Sequence, residues 1–91
     1  MFYTYFLRSL RNKKIYVGYT SKDPRVRVDE HNNSTNQFTR QNKPFKLIYY
    51  ECYLCKEDAL LREKYYKTGL GKQIKKIIVE YIESSSRSSA G

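Results

Sequence analysis

The chain has 91 residues, 18 Lys and Arg against 9 Asp and Glu for a formal net charge of +9, and ten tyrosines beside four phenylalanines. This length allows one small domain with little burial to stabilise it, and no stretch approaches the roughly 18 continuous apolar residues of a membrane span. The cationic excess attracts polyanions, nucleic acid before an anionic membrane, and the opening Met1–Leu7 lacks the features of a signal peptide, so a cytoplasmic location is expected.

Residues 2–9 are rich in aromatic and apolar side chains and predict a strand; residues 14–20 predict its partner across the polar turn Arg11-Asn12-Lys13-Lys14. Tyr3, Tyr5 and Leu7 share one face by alternation, as do Tyr16 and Gly18. A register with Tyr5 opposite Gly18 puts all of them on the same side. Thr20–Pro24 reads as a helix entrance, with Pro near the first turn, where its missing N–H costs nothing. The helix is expected from Pro24 to Asn32, with Val28 packing inward and Val26 a second candidate. Arg27 and His31, four apart, share a face.

Residues 33–45, including Phe38, Thr39, Arg40 and Lys43, read as a long polar loop closed by Pro44. Phe45–Cys52 predicts a third strand. Lys56–Thr68 predicts a helix with Leu61 and Tyr65 paired, Ala59 and Leu60 flanking them, and Gly69 as its C-terminal cap. Residues 72–83 predict another, with Ile74, Ile77, Ile78, Tyr81 and Ile82 inward and Lys72, Lys75 and Lys76 mostly outward. The Ser-rich segment 84–91 is expected to be disordered. Cys52 and Cys55 form a lone C-x-x-C. With His31 the only histidine, two packing cysteines at a strand end are expected rather than a zinc or redox site. The fold class is α+β: a small three-stranded antiparallel sheet flanked by helices, in the order β-β-α-β-α-α.

Several of these residues suit phosphodiester hydrolysis. One carboxylate, Glu63, could anchor Mg²⁺ with waters filling most of its octahedron. Arg27 could clamp phosphate oxygens in a fork. A phenol, at its ordinary pKa of about 10, needs a nearby cation to act as a base, and His31 could orient or assist the attacking water. Each also has a structural use: Glu63 pairs with Lys67 at i,i+4, Arg27 is a surface charge, His31 complements a helix C-terminus, and any tyrosine can be core.

Tyr3-Thr4-Tyr5, Lys14-Ile15-Tyr16-Val17-Gly18-Tyr19-Thr20, Arg25 to Asn32 and Ala59-Leu60-Leu61-Arg62-Glu63, taken in order, closely resemble the GIY-YIG nuclease family. The likeness is greatest to its small stand-alone bacterial members, and it covers roughly residues 2–83. The same module opens the bacterial excision-repair incision subunit and occurs in homing and restriction endonucleases. The resemblance implies a nuclease domain over 1–83 that cleaves DNA with a single metal, Mg²⁺ or Mn²⁺. It assigns catalytic roles to Tyr5, Tyr16, Arg27, His31 and Glu63, with Glu63 as metal ligand, Gly18 allowing close backbone approach, and Tyr5 the general base ahead of Tyr16.

Two departures stand out. Tyr3 occupies the name-giving glycine's place, and Lys75 lies where many members carry an Asn. Lys13, Lys14, Gly18, Arg40, Lys43, Lys72 and Lys75 are candidates to contact the DNA, whether duplex, branched or single-stranded. The alternative is a basic nucleic-acid-binding module of the same fold with weak or partner-dependent catalysis, and a third reading is a structural or protein-interaction domain. Dimerisation is left open.

Overall fold

Phe2–Ser9 (β1) is the central strand of the sheet in the computed structural model, which describes the backbone of residues 1–34 and 37–90 and the side chains of 1–34 and 40–85. Ile15–Thr20 (β2) lies on one side of it and Phe45–Tyr53 (β3) on the other, both antiparallel, in the order β2-β1-β3. A strand paired on both edges and covered on both faces reads as a continuous apolar run. Thr4, Tyr5, Phe6 and Leu7 are accordingly all buried.

The β1–β2 register places Tyr5 opposite Gly18 and Leu7 opposite Tyr16, as the alternation predicts. A bulge between Phe6 and Leu7 shifts the pairing with β3. The sheet thus separates two small cores. Tyr5, Leu7, Val28 and Phe45 pack on one face, with Tyr16 and Leu47 against them. Phe6, Tyr66 and Val79 pack on the other, with Ile15, Val17, Ile74 and Ile78 among their neighbours. Fully burying a ring such as Phe6 or Tyr66 stabilises the fold by roughly 2–3 kcal/mol.

Pro24–Asn33 (α1) starts where expected: the Asp23 carboxylate accepts from Arg25 N at 2.9 Å, and Pro24 sits in the first turn. Val28 faces the core, but Val26 is exposed, so it is not a core residue. At the helix end the Asn32 carboxamide accepts from Phe45 N at 2.6 Å and donates to Phe45 O at 3.0 Å, which fastens α1 to the start of β3.

The expected order holds, with a short helix, Gln37–Asn42 (α2), inserted into the connection read as a loop. The side chains of Phe38 and Thr39 lie outside the described residues. Asn42, at the end of α2, has a partner across the fold: its carbonyl accepts from the hydroxyl of Ser9, which itself accepts from Arg11 N and Asn12 N at 3.2 Å and so closes the hairpin turn.

Lys56–Tyr65 (α3) ends three residues before its expected limit, and Gly69–Ala90 (α4) begins three before its own. Gly69 is therefore the first residue of α4 and not a C-terminal cap. Thr68 caps that helix instead, its hydroxyl accepting from Gly71 N at 3.1 Å. Gly71 is required by close approach, since a Cβ there would overlap the carbonyl oxygen of Tyr65. In α3 the core positions are Ala59 and the following Tyr66, whereas Leu61 is exposed; in α4 Val79 is buried, and Ile77 and Tyr81 face outward. The backbone of α4 continues into the Ser-rich segment expected to be disordered, and Glu83 is its last described residue with a side chain joined to the sheet, through Arg8. Cys52 and Cys55 are exposed rather than packed. No described helix is long and apolar enough to cross a membrane.

Candidate active site

Gly18 is where the sheet makes room for the site. A Cβ at this position would overlap Oη and Cζ of Tyr5, so the Tyr5 ring lies against the bare backbone of its strand partner. Tyr5 is 3% exposed. Its hydroxyl reaches Nε2 of His31 at 3.3 Å, and the His31 ring meets the edge of Phe45, 5.9 Å between centroids. Phe45 is itself held by Asn32, so the end of α1 and the start of β3 together set the imidazole's position.

The charges around this pair push its members in opposite directions. Burial raises the Tyr5 phenol above its ordinary value; the neighbouring Arg27 opposes this, while Glu63 and Glu30 add to it. Burial lowers the His31 imidazole, Arg27 lowers it further, and Glu30 works the other way. Both effects favour the neutral forms near pH 7. A neutral His31 with its proton on Nδ1 accepts the Tyr5 hydroxyl proton at Nε2. Arg27 is oriented by Glu30 through an Nη1–Oε1 contact of 3.2 Å, and Glu30 also accepts from Lys22 at 2.6 Å.

Tyr16 is tethered differently. Its hydroxyl accepts from the Asn12 carboxamide at 3.2 Å and donates to Oδ1 of Asn42 at 3.1 Å, while Asn12 also donates to Asn42 at 2.7 Å. No sequence signal joins Asn12 and Asn42, which meet only because the hairpin turn packs on α2.

One cavity of about 500 Å³ is lined by Tyr5, Tyr16, Gly18, Arg27, His31 and Glu63 together, along with Lys67, Lys72 and Lys75. Glu63 comes from α3, its side chain is 21% exposed, and it pairs with Lys67 at 3.6 Å. Lys75 is half-buried rather than outward, and burial, with Lys72 nearby, lowers its ammonium below the ordinary lysine value. Lys13 and Lys14 do not line this cavity: each lies in a separate groove. Arg40 is exposed and Lys43 half-buried, and neither lines it.

Among the described residues no group of three or more His, Cys, Asp or Glu forms a metal cage. The lone Glu63 carboxylate still fits a hard divalent cation. Mg²⁺ keeps most of its waters and takes one or two carboxylates plus substrate phosphates.

The family model described as the GIY-YIG catalytic domain matches residues 1–77. A "UPF0213 protein" of Staphylococcus epidermidis is 40% identical over 67 residues, covering 72% of this chain and 80% of its own. One from Bacillus licheniformis is 33% identical over 84 residues, 91% of this chain and 81% of its own. Another from Bacillus pumilus is 33% identical over 70 residues, 76% of this chain and 70% of its own. No solved structure matches.

Proposed function

Since the chain belongs to the GIY-YIG family, a nuclease family whose members generally depend on a divalent metal, we propose that it is an endonuclease that hydrolyses DNA phosphodiester bonds. The observation that carries this reading is the convergence of Tyr5, Tyr16, Arg27, His31 and Glu63 on one cavity, from strands and helices at both ends of the fold.

In this reading Arg27 binds two oxygens of the scissile phosphate, its guanidinium held in place by Glu30. The attacking water hydrogen-bonds to Tyr5 Oη. As that water attacks phosphorus and the bond from phosphorus to the leaving oxygen breaks, it gives a proton to Tyr5 while Tyr5 passes its own to Nε2 of His31, and the departing oxygen takes a proton from solvent. The relay leaves Tyr5 neutral throughout, which suits a phenol whose pKa is raised rather than lowered. Tyr16, with its hydroxyl engaged by Asn12 and Asn42, orients the cavity wall and is the poorer base. Glu63 would hold the cation, Mg²⁺ or Mn²⁺, which when bound supplies Lewis-acid stabilisation of charge on the phosphate and leaving oxygen. Lys72 and Lys75 extend the positive wall along which the DNA backbone lies.

A second reading, a nucleic-acid-binding module with weak catalysis, is favoured by the Glu63–Lys67 pair, which competes for the carboxylate. One experiment separates them. Wild type and Glu63→Ala are incubated with plasmid, branched DNA and single strands in Mg²⁺ or Mn²⁺. Metal-dependent cutting that drops roughly 100- to 1,000-fold in the variant is expected. Indistinguishable, negligible cutting by both proteins on every substrate would sink the enzyme reading.

A further inference from the structure

A second groove, of about 530 Å³, opens between the C-terminal end of β1, the N-terminal part of β3 and residues 79–83 of α4, and it shares no lining residue with the catalytic cavity. Its walls carry Arg8, Lys13 and Lys46 over a floor that includes Leu10 and Ile82. Arg8 and Lys46 stand directly opposite each other in the β1–β3 ladder. Like charges at such a position repel and destabilise the pair. The one acid lining the groove, Glu83, engages Arg8 at Nη2 only. Lys13 and Lys46 have no carboxylate partner in an ion pair among the described residues.

The guanidinium of Arg8 is half used. Its Nε is buried without any acceptor, although Nε and Nη2 together form the side-on fork that matches two oxygens of one anion. A buried donor left without a partner is costly to the fold. Replacing Glu83 by a phosphate would fill both prongs and bring negative charge to Lys46 and Lys13 as well.

We propose that this groove is a second binding site for the phosphodiester backbone of DNA, separate from that of the scissile bond, with Glu83 as an internal carboxylate that phosphate displaces from Arg8. The site rests on the nuclease reading for its ligand. It adds an anchor beside the cavity, one residue further along β1 from Leu7 and along β3 from Phe45, so that a strand leaving the catalytic cavity is held at two points.

Binding of a fluorescent 30-base-pair duplex, followed by polarisation across a salt series without divalent metal, tests the site. Lys46→Glu is expected to weaken binding about tenfold and to flatten the dependence of log K on log salt by one to two units. Glu83→Gln, which unpairs Arg8, is expected to tighten binding several-fold at low salt, a gain that loss of a merely structural ion pair would not give. Lys46→Gln, at an exposed position, gives a smaller weakening and carries the test if Glu83→Gln does not fold. Wild-type binding with an unchanged salt slope in the Lys46 variants, or weaker binding in a folded Glu83→Gln, overturns the groove alone. A wild type with no affinity for DNA at any salt overturns the nuclease reading and the groove with it.

Discussion

His31 illustrates how one residue's surroundings set the conditions under which the site works. In the proposed relay its imidazole must be neutral to accept a proton from Tyr5, and burial beside Arg27 holds its pKa below the ordinary 6.5. Cleavage is therefore expected to fall as pH drops through that lowered value and to stay flat across neutral pH. A rate–pH profile checks this: in His31→Gln the acid limb disappears and the rate falls by about 100-fold. Gly18 is the second such position. Gly18→Ala would force the Tyr5 ring off the β2 backbone, with a stability loss of roughly 1–3 kcal/mol seen as a lower denaturation midpoint, and cutting should be lost along with the Tyr5–His31 contact. The Tyr5–Gly18 pairing was legible in the sequence, because alternation leaves few registers that put Tyr5, Tyr16 and Gly18 on one face. The tether on Tyr16 was not, since Asn12 and Asn42 are ordinary polar turn residues until the hairpin and α2 are packed together.

Among the elements, β3 and α3 share a polar lock that sets where Glu63 sits. Tyr49, Tyr53 and Tyr66 donate their hydroxyls to Glu51, and Arg62 adds a bond at 3.0 Å. Burial would raise the Glu51 carboxyl, but hydrogen bonds from Tyr53, Tyr66, Tyr49 and Arg62 outweigh it and hold it below its ordinary value. Burial, and after it Glu51, push Tyr49 and Tyr53 up to about 12. A carboxylate with a depressed pKa contributes stability above its unfolded value, lost as pH falls through the folded one. A phenol with a raised pKa contributes stability below its unfolded value, lost as pH rises through the folded one. The lock thus operates across the whole range between. Glu51→Gln should cost about 3 kcal/mol at pH 7 and remove part of the stability lost on acidification, as chemical denaturation at several pH values would show. Alternation puts Tyr49, Glu51 and Tyr53 on one face, but an acid there reads as solvent-facing until Tyr66 and Arg62 cover it. Helix limits were equally hard to read. Only Phe38 is a strong apolar residue in α2, and the α3–α4 corner depends on Gly71 meeting the Tyr65 carbonyl, a contact without a periodic signature.

For the molecule as a whole, every described core residue lies between Tyr5 and Val79, and the last described side chain joined to the sheet is Glu83. We propose that the folding unit ends near residue 83. A chain ending at Glu83 should melt within about 3 °C of the full chain in a calorimetric scan and cut DNA at the same rate; a larger drop would show that the Ser-rich end of α4 supports the fold. The net charge of +9 was readable as attraction to a polyanion. What composition does not reveal is that the basic residues divide between the candidate active-site cavity and a separate groove beside it.

The sheet order β2-β1-β3 also bears on how the site comes into being as the chain is made. The hairpin of β1 and β2 closes over a short turn and can form as soon as both strands exist, bringing Tyr5, Tyr16 and Gly18 together. The helix bearing Glu63 docks only after β3 has returned to pair with β1, since α3 follows β3 and Thr4 on β1 donates to the Ala59 carbonyl of α3 at 2.7 Å. On the proposed mechanism, a nascent chain can therefore pair the strands that bear its tyrosines before the carboxylate for the metal has docked, while the partners of those tyrosines on α1 and α2 follow. In a cell full of nucleic acid, the cutting activity would be withheld until the fold is nearly complete.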